Sequence, residues 1–186
     1  METMDGGWTA IQKRVDGSLD FDRNWADYKD GFGSPELDFW IGNEVIHQLT
    51  KGHKSSLYVS VTSVNLGKLY ELYEEFSVSS EAEKYQLFLG GNATGTLGDQ
   101  MLNTGRSDND LSGMYFSTPD RDNDQNQENC ASHNKGGWWF NYCHKAYLNG
   151  PWSPDRWIYP WKPPITYGKY VNKTFMMIRR HQMSIR

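Results

Sequence analysis

The chain has 186 residues and a formal net charge of −4, with 19 basic and 23 acidic residues interspersed along it. That length suits one domain with a substantial core, and no basic stripe is present to neutralise a run of phosphates, so a nucleic acid is excluded as partner. No stretch approaches the roughly eighteen apolar residues of a membrane span, and the start METMDGGW lacks the basic and apolar blocks of a secretory leader.

The apolar pattern then divides the sequence. Trp8 to Arg14 alternates as a half-buried strand does, and Asp16-Gly17 predicts a tight turn into Leu19-Asp-Phe21, so the chain is expected to open as a hairpin. Trp25 and Tyr28 share one helical face, with Asn24 as cap and Gly31 as stop. A second short helix is expected from Asn43 to Gly52, with Val45, Ile46 and Leu49 on its apolar face. Period-two alternation at Leu57 to Thr62, Leu69 to Val78 and Tyr85 to Leu89 predicts consecutive sheet strands. Beyond Gly90 the composition turns to Gly, Asn, Asp, Ser and Pro, and regular periodicity returns only at Phe175 to Ile178. Loops of that length need function, a metal or a disulfide to hold them. Because Met1 leads almost at once into a strand, the sequence reads as part of a longer protein.

Eight Trp, eleven Tyr and eight Phe, with a mean hydropathy of −0.77, describe an interior of rings inside a polar shell. Trp138 and Trp139 belong to that interior, since neighbours on a strand face opposite ways. The two cysteines, Cys130 and Cys143, lack the companions that would give zinc four ligands, so a disulfide is the better reading. Asn92-Ala-Thr94 and Asn172-Lys-Thr174 are glycosylation sequons. Together these features predict a secreted, extracellular glycoprotein. No HExxH, Gly-x-Ser-x-Gly or phosphate-binding glycine loop appears, and the sequence reads as no enzyme.

Asp120-Arg-Asp-Asn-Asp124 places carboxylates two residues apart, where a turn brings them together and main-chain carbonyls complete the about six to eight oxygens that calcium takes. Gln125 and Ala131 stand where an EF-hand needs Gly and Glu, which excludes that motif. A solvated acidic turn remains the alternative.

The run from Asn129 to Gly150, NCASHNKGGWWFNYCHKAYLNG, resembles the fibrinogen C-terminal-like domain family. Gly6-Gly-Trp-Thr9, Gln12-Lys-Arg14, Tyr28-Lys-Asp-Gly-Phe-Gly33, Phe39 to Thr50, Gly95-Thr-Leu-Gly-Asp99 and Phe116 to Asp124 extend the match, which returns at Met176-Met-Ile-Arg179. The resemblance implies an α+β fold: a central antiparallel sheet, short flanking helices and a loop-rich calcium and ligand end. It also implies one domain over 1–186, lacking an N-terminal portion with further cysteines. By the same resemblance, calcium is held by the side chains of Asp122 and Asp124 and the main chain of Asn126 and Glu128, with Asp120 in support, and Cys130 pairs with Cys143.

The expected style is that of invertebrate fibrinogen-related, ficolin-like and tachylectin-like members. These imply a calcium-dependent lectin or pattern-recognition domain of innate defence, binding glycans or acetylated groups and gaining avidity as a homo-oligomer. Its pocket would use the N–H groups of Cys143 and His144, freed by a cis Tyr142–Cys143 bond, with Asn134, Tyr159 and Trp161 around them. Pro151 to Gly168 departs from the family pattern, rewriting the pocket wall. The alternative is a secreted ligand of a cell-surface protein receptor, as in angiopoietin-like signalling.

Overall fold

A computed structural model of the protein describes residues 7–63, 67–105, 107–152, 166–167 and 173–180. One antiparallel sheet of seven strands carries the fold. It comprises β1 (Thr9–Arg14), β2 (Phe32–Gly33), β3 (Phe39–Trp40), β4 (Ser55–Ser63), β5 (Gly67–Val78), β6 (Leu87–Gly95) and β9 (Lys173–Arg180). Their spatial order is β2-β3-β1-β9-β4-β5-β6, and β7 (Ala146–Tyr147) pairs separately with β8 (Thr166–Tyr167). With three short helices beside the sheet among the described residues, this is the expected α+β class.

Strand β4 shows why the sheet forms. Leu57, Val59 and Val61 are all but fully buried and face the core; on the opposite face Tyr58 is only part-buried, although Ser56 and Ser60 beside it are buried too. Helix α1 (Trp25–Asp30) lies where its local signals put it: the Asn24 side chain accepts the Asp27 N–H, Gly31 ends it at φ 93°, and Trp25 and Tyr28 are buried. Helix α2 (Asn43–Thr50) begins one residue away from its expected cap. Gly42 takes that position, because Asn43 is buried and its side-chain oxygen accepts the Trp40 Nε1–H at 3.1 Å. Ile46 of α2 is buried, whereas Val45 points outward.

The opening hairpin does not form. Asp38, more than twenty residues on, gathers the N–H groups of Val15, Asp16 and Gly17 and pairs with the Arg14 guanidinium at 3.4 Å. The turn is therefore closed by a distant carboxylate, and β1 pairs with β3 and β9 instead. Phe21 goes to the core beneath Arg14, whose guanidinium carbon sits 3.8 Å from the ring centre.

Below the sheet lies a mesh of rings. Phe116 meets Trp139 edge-on at 5.1 Å, Tyr28 meets Trp40 at 5.8 Å, and Trp138 and Trp139 are both fully buried, as expected. Trp139 donates its Nε1–H to the Tyr85 carbonyl at 2.7 Å. Gly137 lets the Tyr28 and Phe116 rings close on the main chain, since a Cβ there would stand 2.7 Å from Tyr28 Cε2. Most of residues 96–145 runs over this mesh as loop, interrupted by α3 (Cys130–Asn134).

Candidate functional site

The acidic loop is built from the turn outward. Thr118 and Arg121 exchange main-chain hydrogen bonds at 2.9 and 3.0 Å, which leaves Asp120 at the tip of a tight turn. One oxygen of Asp120 accepts the Thr118 hydroxyl at 2.7 Å and the Trp25 N–H at 2.9 Å, so it points to α1 rather than into the loop. Arg121 lies 4.0 Å above the Trp25 ring. Asn123 is fixed by its N–H to the Ser117 hydroxyl and its amide to the Phe116 carbonyl.

Asp122 and Asp124 are left facing each other. Asp122 accepts the Asp124 N–H at 3.2 Å, while the two oxygens of Asp124 accept the N–H groups of Asn126 and Cys130, each at 2.9 Å. Burial, reinforced by the charge of Asp122, pushes the Asp124 carboxyl up to about 6 against the pull of those donors. A carboxylate pair in that condition is electrostatically relieved by a divalent cation. The main-chain oxygens of Asn126 and Glu128 accept no hydrogen bond among the described residues. No three His, Cys, Asp or Glu side chains converge as a metal cluster among the described residues, so a cation would rest on two carboxylates plus main-chain and water oxygens. An all-oxygen set of that kind fits calcium chemically.

The loop is stapled behind. Cys130, capped into α3 by the Asn129 side chain, is disulfide-bonded to Cys143, with Cα atoms 5.3 Å apart. Asn126 donates to both sulfurs, at 3.7 and 3.5 Å. Sequence reasoning credited Asn126 with its carbonyl alone. Asn141, also missed, donates to the carbonyls of Ser107 and Asp110 and so ties the loop at 107–110 to the strap. Only the Asx capping signal at Asn129 was available to find such residues.

Two pocket expectations are corrected. The Tyr142–Cys143 bond is trans, as is every peptide bond among the described residues. The backbone reverses instead at Cys143 itself, which takes φ 55°, with the Asn141 N–H donating to the Cys143 carbonyl at 3.1 Å. Asn134 does not line a pocket: α3 turns it inward, it is 3% exposed, and its amide donates to the Cys130 carbonyl at 2.8 Å. His144 packs 5.0 Å from Tyr147 and 5.9 Å from Phe140, and burial pushes its pKa down to about 4, leaving a neutral ring in an aromatic stack. Tyr142 is the large side chain presented here, 62% exposed beside the disulfide. Tyr159, Trp161 and Asn172 lie outside the described residues. Asn92 is exposed on β6, away from the acidic loop.

Fold and disulfide together define a stapled α+β globe, with both cysteines consumed in the staple. Residues 1–186 match the family of the C-terminal globular domain of fibrinogen beta and gamma chains, and the protein belongs to that family. It is 48% identical to fibroleukin of Bos taurus over 151 residues, which is 81% of this sequence and 34% of the relative. Angiopoietin-4 of Bos taurus is 46% identical over 156 residues, 84% of this sequence and 30% of the relative. The protein thus spans about a third of the length of the curated relatives it matches. Among solved structures, the fibrinogen-like globe of human ANGPTL2 superposes with a TM-score of 0.81 at 38% identity, covering 94% of this protein and 81% of the other. A lamprey fibrin D-dimer, complexed with the peptide Gly-His-Arg-Pro-amide, superposes at 0.85 with 29% identity, covering 100% of this protein and 68% of that one.

These relatives correct the functional expectation. They are fibroleukin and angiopoietin-type proteins of vertebrates rather than invertebrate lectins, and they overturn the calcium-dependent lectin reading with its glycan and acetyl ligands. No helix among the described residues is long and apolar enough to cross a membrane.

Proposed function

We propose that the protein is the receptor-engaging domain, over 1–186, of a secreted protein ligand of the angiopoietin-like kind, acting without catalysis. The observation that carries this is the 46% identity to an angiopoietin across 84% of the sequence, joined to a globe superposing on that of ANGPTL2. The site supports it in physical terms. Tyr142 stands clear of a rigid, disulfide-held surface, and an exposed aromatic on a preorganised support is the kind of group that anchors a protein interface. That the lamprey relative holds a short peptide favours a polypeptide partner over a sugar.

In this reading calcium is a structural ion of the acidic loop, held by Asp122, Asp124 and the carbonyls of Asn126 and Glu128, and it fixes the surface beside Tyr142. The disulfide supports a secreted, oxidising setting, and a portion upstream of the domain would supply assembly into homo-oligomers. The test is binding of the labelled protein to cultured cells. Saturable binding that is abolished by mild trypsin treatment of the cells, and unaffected by free N-acetyl sugars, is expected. Binding that survives protease and is lost on removing cell-surface glycans overturns the reading.

A further inference from the structure

Strand β6 is one edge of the seven-stranded sheet. Its first half is covered: the Leu87 N–H donates to the Met114 carbonyl at 2.9 Å, the Gly113 N–H donates to the Leu87 carbonyl at 2.7 Å, and Ser112 bonds both main-chain groups of Leu89. Along Gly90 to Gly95 no further strand pairs with it among the described residues. An open edge is a template for another strand, and Phe88 beside it is 50% exposed.

A bulge interrupts that open stretch. Tyr73 pairs with Ala93 and Glu75 with Gly90, so Gly91 and Asn92 stand together against Glu74. Gly91 takes φ 70°, the left-handed conformation that such a bulge requires. Asn92 is exposed; its N–H donates to Glu74 Oε2 at 3.0 Å, and its Nδ2 lies 3.3 and 3.4 Å from the two carboxylate oxygens. Thr94, two residues on, is also exposed, which completes an accessible Asn-Ala-Thr acceptor on the edge itself.

We infer that Asn92 carries an N-linked glycan and that this glycan closes the open half of the β6 edge to a second copy of the protein. The inference rests on the secreted reading above, which brings the protein to the glycosylation machinery. In the transfer, Asn92 Nδ2 forms a bond to the anomeric carbon of a lipid-diphosphate-linked oligosaccharide. The bond from that carbon to the diphosphate oxygen breaks, the lipid diphosphate leaves with the electron pair, and one amide proton is released. The product is a secondary amide that keeps one N–H, so a bond to Glu74 is retained and holds the first sugar against the strand. A bulky, hydrated glycan there shields Gly90 to Gly95, where the bulge alone only bends the edge.

The test expresses residues 1–186 in cultured animal cells behind a cleavable leader, as wild type, Asn92→Gln, Thr94→Ala and Thr94→Ser. Peptide-N-glycosidase in heavy-oxygen water labels each formerly glycosylated asparagine, and peptide mapping separates Asn92 from Asn172. Label at Asn92 is expected in the wild type and Thr94→Ser and absent from the other two. The two bare variants, Asn92→Gln and Thr94→Ala, are expected to self-associate at roughly tenfold lower concentration by light scattering. Two independent variants of one bare edge keep a folding fault in a single variant from imitating the result. Secreted wild type without label at Asn92 overturns the modification, and bare variants that self-associate no more readily than the labelled wild type overturn the guard. Failure to bind cells by protein labelled at Asn92 counts against the receptor reading alone.

Discussion

The carboxylate of Asp120 accepts the main-chain N–H of Trp25 at 2.9 Å, joining the acidic loop to the first turn of α1 across 95 residues of sequence. Asp120 is thus the hinge pin between loop and scaffold. Replacing it with Ala strands a part-buried donor and frees the Thr118 hydroxyl, at a cost of about 1–3 kcal/mol. Denaturant unfolding should show that loss; an unchanged midpoint would place the anchor elsewhere.

Calcium removal and replacement test the pair Asp122 and Asp124. The wild type should gain thermal stability as calcium rises, by about 2.7 kcal/mol at a hundredfold excess over the dissociation constant, and lose it to chelator. Asp122→Asn removes a charged ligand while leaving an oxygen to accept the Asp124 N–H, so it should abolish most of that gain and change the metal-free stability little. Calorimetry that finds equal calcium affinity in both proteins removes Asp122 from the ligand set.

Close packing under the tryptophan pair is tested by Gly137→Ala. The added methyl would meet Tyr28 Cε2 at 2.7 Å and Phe116 Cε1 at 2.8 Å, both ring atoms in the core. Overpacking of this kind costs about 1–3 kcal/mol. Gly7→Ala, where nothing lies within 4 Å, is the matched control and should be neutral.

His144 gives a pH signature. Its folded pKa is about 4 against an ordinary value of 6.5, so between those values the unfolded state binds the extra proton. The resulting stability is present above pH 6.5 and is lost as pH falls towards 4, by about 2–3 kcal/mol. His144→Gln should flatten that fall relative to the wild type. Parallel pH profiles would mean that the ring is protonated in the folded state as easily as out of it.

Tyr142→Ala addresses the proposed partner. Cell binding should weaken about tenfold or more, as loss of an interface anchor does, while stability shifts by no more than about 0.5 kcal/mol because the ring is exposed. The Tyr142 N–H to the Asp108 carbonyl is retained in the variant. Full-strength binding moves the contact surface away from the disulfide strap.

What could be read from sequence followed the range of the forces involved. Helix α1 was legible because Asn24, Gly31 and its ring pair act within two turns, and β4 because its alternation is local. The hairpin failed because Asp38 competes for the turn from far along the sequence. Asn134 was placed in a pocket by position in a motif, whereas one turn of α3 rotates it into the core, a matter of helical phase that a loop-like composition conceals. The acidic loop was legible in its chemistry, and its anchor on Trp25 was not. The lectin reading failed for another reason: it rested on a style of family member, and the relatives that the sequence matches are of the fibroleukin and angiopoietin kind.

Strand β9 lies between β1 and β4, although it is the last strand in sequence order. During synthesis, therefore, the edges of β1 and β4 that it will join stay open until more than a hundred further residues have been made, and no early segment can seal the sheet by itself. Such remote closure makes for slow folding and a long exposure of unpaired strands. Its folding yield is therefore expected to respond to chaperone supply and to the rate of translation, because β9 must be made before β1 and β4 can be joined.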